Sequence, residues 1–104
     1  MSSLILIEDI KALTRVLPEN HTYISLMYND DDMILVVGIM INCVRCDHQS
    51  YNPIMETQKG AFTSEEMMDA YLKLTKPESR VSSILKHSSF SHYNLGAIDE
   101  EVFN

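Results

Sequence analysis

Read for hydrophobic spacing, the chain divides into helix-like and strand-like stretches around one continuous apolar run, residues 33–44, MILVVGIMINCV. Two alternating sets of side chains leave this run on opposite sides: Met33, Leu35, Val37, Ile39 and Ile41 on one, and Ile34, Val36, Gly38 and Met40 on the other. Both sets are apolar, whereas a half-exposed antiparallel strand alternates apolar with polar residues. The β-branched residues are stiff at χ1 and suit a pleated surface. The run therefore predicts a central strand covered on both faces, by helices or by a second subunit. Gly38 marks a bend, bulge or close backbone approach within it.

Around this strand the pattern predicts further elements. Leu6, Ile10, Leu13 and Leu17 recur at helical spacing with Glu8, Lys11 and Arg15 on the other side, so an amphipathic helix is expected over residues 3–17, ended by Pro18. Residues 22–28, TYISLMY, lead through Asn29 and three aspartates into the apolar run, which is a β-hairpin signal. A third, shorter strand is expected at residues 54–58. Thr63-Ser64-Glu65-Glu66 fits a capping box, and Met67, Met68, Tyr71 and Leu74 form the inner face of the helix it starts. Pro77 should break that helix and begin another that reaches about His87 and buries Val81, Ile84 and Leu85. The expected fold class is α+β: an N-terminal helix, a two- or three-stranded antiparallel meander, and two C-terminal helices. One domain spans residues 1–104, with residues 94–104 as an acidic tail that either packs on its own domain or docks into a partner's groove.

Composition narrows the functional classes. The 104 residues carry 8 Lys and Arg against 15 Asp and Glu, a formal net charge of −7. An acidic surface disfavours nonspecific nucleic-acid and anionic-membrane binding and favours basic partners. The N-terminus lacks the pattern of a signal peptide, and no run reaches the length of a membrane span. Two cysteines so close in sequence are no secreted disulfide framework. A cytoplasmic protein with no membrane partner is the expectation.

Three clusters raise chemistry. Cys43 and Cys46, spaced Cys-x-x-Cys, with His48 two residues on, could ligate zinc; the cluster lacks a second cysteine pair, and a continuing strand would point Cys43 and Cys46 apart. Residues 70–90 resemble a helix-turn-helix, with Arg80, Ser82, Ser83 and Lys86 on the recognition helix; the resemblance fails at Thr75, where the turn glycine belongs, and at Tyr71, where a small residue belongs. Asp30, Asp31 and Asp32 lack the spaced oxygen ligands of a calcium loop. No nucleophile turn or phosphate-cradling glycine loop accompanies the serines and histidines, so no enzyme and no cofactor is expected.

The leading expectation, from charge and from the absence of a catalytic constellation, is a small acidic protein-binding module that acts as immunity proteins, antitoxins or phage-encoded inhibitors do, a bacterial or phage accessory protein. Asp30, Asp31, Asp32, Glu65, Glu66 and Asp69 would meet a basic surface of the partner. A DNA-binding regulator ranks second and a zinc-binding domain third. A small sheet with apolar residues on both faces also makes a homodimer an expected assembly.

Overall fold

The computed structural model describes residues 8–12, 21–42, 44–46, 48–58, 60–86 and 88–103. Its centre is a five-stranded antiparallel sheet formed by β1 (Thr22–Tyr28), β2 (Met33–Asn42), β3 (Gln49–Glu56), β4 (Val81–Ile84) and β5 (His92–Ala97), in the order β3-β2-β1-β5-β4. The α-helix Ser64–Leu74 packs on β1 and β2, and residues 8–12 form a second, short helical segment. Short 3-10 turns at Pro77–Ser79 and Glu100–Phe103 complete the order. Among the described residues, no helix is long and apolar enough to cross a membrane.

The hairpin forms where two apolar runs flank the polar turn. Tyr28 pairs with Met33 and Thr22 with Ile39, and Asn29 N–H donates to the Asp32 carbonyl at 2.8 Å to close the turn. This register places Ile24, Leu26, Leu35 and Val37 on one face, where Met67, Ala70, Tyr71 and Leu74 of the helix cover them together with Ile10 and Ile98. Burying side chains of this size stabilises the fold by about 1.5–3 kcal/mol each before ordering entropy is subtracted. The helix starts as a capping box: Thr63 Oγ1 accepts from Glu66 N–H at 3.1 Å, and Glu66 Oε1 accepts from Thr63 N–H at 3.0 Å.

Gly38 is where β3 bulges. Its pairing partner is Pro53, and the register shifts between Val37 and Gly38. A Cβ at Gly38 would lie 2.2 Å from the Asn52 carbonyl oxygen, so no side chain fits. Pro53 lacks a backbone donor and is accommodated because β3 is an edge strand.

The expected fold class is overturned: the protein is mostly sheet, not an N-terminal helix with a short meander and two C-terminal helices. The third strand is eight residues long and starts earlier, at Gln49. The centre of the sheet is β1, and the apolar run supplies its neighbour β2. Of the helix expected at residues 3–17, residues 8–12 are helical and the rest lies outside the described residues. The stretch expected to be a helix from Pro77 to His87 is not an α-helix over its described residues, 77–86. Proline starts a 3-10 turn, Arg80 is extended, and residues 81–84 form β4 against β5. The spacing of Val81, Ile84 and Leu85 suits a helix, but two serines and two β-branched residues give it little intrinsic support. Pairing with β5 prevails. Asn94–Ala97, the start of the expected tail, are likewise part of β5, where Leu95 pairs with Ser25 and Val81.

A close approach explains Gly96. A Cβ there would lie 2.9 Å from Thr75 Cβ, and Thr75 bridges to Ile98 beside it. Arg80 then closes the C-terminal end of the helix: Nη2 donates to the Leu72 carbonyl at 2.6 Å and the Thr75 carbonyl at 3.0 Å, and Nε donates to Thr75 Oγ1 at 2.9 Å. These carbonyls end the helix without intrahelical partners, and the cation sits at the negative end of the helix dipole.

Candidate functional site

The predicted partner-binding carboxylates fall on two neighbouring elements. Asp30 and Asp31 are exposed at the tip of the β1–β2 hairpin, and Asp32 is half-buried. Met33 follows directly and lines a shallow depression with Ser64, Glu65, Met68, Asp69 and Leu72 of the helix. Leu72 is 48% exposed. The hairpin tip and the helix thus share one side of the molecule, where carboxylates border an apolar floor built from Met33, Met68 and Leu72. Asp69 also pairs with Lys73 at 3.1 Å, in an i,i+4 contact open to solvent and so weak. The Glu66 carboxylate is engaged in the capping box.

The nucleic-acid residues are not brought together. Arg80 is spent on the helix end. Ser82 pairs with Asn94 and Ser83 with Tyr93, so the two serines point to opposite faces of β4. Without a second helix among their described residues, residues 70–90 do not form the expected helix-turn-helix. Of the zinc candidates, Cys46 and His48 are exposed, and Cys43 lies outside the described residues. Among the described residues, no three His, Cys, Asp or Glu side chains are grouped to hold a metal ion.

Sequence reasoning missed a second surface, because two of its strands were assigned to other structure. The sheet face opposite the helix carries a groove of about 360 Å³ lined by Ser25 and Met27 from β1, Met40 and Tyr51 on one side, and Val81, Leu85, Tyr93 and Leu95 on the other. Tyr51 crosses β2, its hydroxyl directed at the carbonyls of Tyr23 at 2.9 Å and Val36 at 3.2 Å. Burial holds this phenol well above its usual ionisation range. Ser25 is 1% exposed, yet its hydroxyl has no hydrogen-bond partner among the described residues. A buried, unpaired hydroxyl costs about 1–3 kcal/mol. The alternation of Tyr93 and Leu95 with Asn94 was the available signal for this face.

Tyr71, on the covered face, is also pushed above its usual ionisation range by burial, with Arg80 opposing the shift. The Arg80 guanidinium lies 5.7 Å from the centre of its ring, within reach of a cation–π attraction. Arg80 thereby ties the segment that leads into β4 to the end of the helix.

No protein-family model, curated protein or solved structure matches the chain.

Proposed function

We propose that the protein is a small acidic binding module that occupies a basic surface of another protein, in the manner of an inhibitor, immunity protein or antitoxin. The carrying observation is the depression of Met33, Met68 and Leu72 bordered by Glu65 and Asp69, beside the exposed Asp30 and Asp31. Carboxylates attract and orient a cationic partner at long range, and flexible thioethers adapt to its apolar contacts. The formal net charge of −7 acts in the same direction.

The test is affinity capture from nuclease-treated cell lysate at low and moderate salt, with the wild-type chain and with Asp31→Lys/Glu65→Lys. One protein should be recovered near stoichiometry, released by moderate salt and lost with the double variant. Capture that survives both salt and charge reversal would remove the acidic patch from the interface.

A further inference from the structure

We infer that the open face of the sheet is a self-association surface, on which a second copy of this chain packs face to face. The starting observation is an asymmetry in cover. One face lies under the Ser64–Leu74 helix, while among the described residues the other carries a groove and no packed element. Val81, on that face of β4, is 54% exposed.

Charge selects the occupant. By the strand registers, Glu56 on the edge strand is the one charged strand residue that alternates onto this face. A chain of formal net charge −7 repels its own copies over most of its surface, but here two copies can meet without opposing carboxylates at the centre. A strongly basic partner would find no counter-charge in the groove. The inference therefore concerns a different surface and partner from the acidic depression, and it stands independently of that reading.

Size agrees. Five strands about 4.8 Å apart, with a seven-residue central strand rising about 3.4 Å per residue, make a face about 24 Å on each side. Such a face, about 580 Å² as a flat area, supplies most of the roughly 800 Å² per partner that a stable interface buries. The groove between Tyr51 and Tyr93 is the relief into which side chains of that copy fit.

Sedimentation of the full chain tests this. The wild type should dimerise at micromolar concentration, and added salt should strengthen the dimer by screening mutual repulsion. Val81→Glu should raise the dimer dissociation constant about tenfold or more by placing a carboxylate in the interface. Ile84→Glu, on the same strand but the opposite face, should leave it unchanged; Ile84 is 66% exposed, so both variants alter surface positions. A monomeric wild type, a dimer that salt weakens, indifference to Val81→Glu, or equal loss with Ile84→Glu would each overturn the inference. The wild-type salt response requires no substitution, so a variant that misfolds does not spoil the test. Asp31→Lys/Glu65→Lys should leave the dimer intact, which separates failure of this surface from failure of the acidic one.

Discussion

Ser25 and Leu26 are neighbours on the central strand and equally hidden, at 1% and 0% exposed, but for different reasons. Leu26 points to the helix and joins a cluster of apolar side chains drawn from several elements. Ser25 points to the opposite face, where neighbouring strand side chains shield it and its hydroxyl finds no partner. On one face burial results from layers packing together. On the other it results from side chains lying down over their own sheet, as Tyr51 does when its hydroxyl reaches the Tyr23 carbonyl. Low exposure alone does not identify a completed core.

Substitutions on the two faces should therefore differ in size and sign. Leu26→Ala should cost about 2–5 kcal/mol in chemical denaturation, the range for emptying a packed apolar site; a cost below 1 kcal/mol would mean that the helix does not seal this face. Tyr51→Phe should cost about 1 kcal/mol through loss of its hydroxyl contacts. Its signature is alkaline. The folded phenol ionises above the unfolded value near 10, so its contribution is complete below that pH and is lost as pH rises through the folded value. Denaturation at rising alkaline pH should show a shallower loss for Tyr51→Phe than for wild type, with part remaining because Tyr71 shifts in the same direction. Equal slopes would place Tyr51 in solvent. Ser25→Ala should be the smallest effect, neutral or slightly stabilising in the monomer, since it removes an unpaired hydroxyl. A clear destabilisation of the monomer would show that Ser25 does find a partner within its own chain.

What was legible in the sequence follows a physical division. The β1–β2 hairpin and the start of the helix depend on local chemistry: two apolar runs across a short polar turn, and the Thr63–Glu66 capping pair. Both could be read from adjacent residues. The second half depends on contacts distant in sequence. β4 is a short edge strand with a helix-compatible pattern, and its conformation is decided by β5. Its neighbour β5 was hidden because residues 94–104 read as an acidic tail, whereas Gly96 provides room for Thr75 within a strand. Of the candidate site, the carboxylates at the hairpin and helix were legible one by one. Their meeting around Met33 was not, nor was the use of Glu66 as a cap. Arg80 looked like a surface cation in a basic stretch; only the folded chain reveals that it closes a helix.

The strand order also bears on how the protein is made. β1 acquires β2 across a short turn, but its other edge waits for β5, with Tyr23 pairing to Ala97. During synthesis from the N-terminus, that edge of what will become the middle strand stays open until the ribosome has released nearly everything between them. An unpaired strand edge is a template for other chains, so the nascent hairpin is the species that a chaperone would need to shield, and β5 is the segment whose arrival ends the exposure.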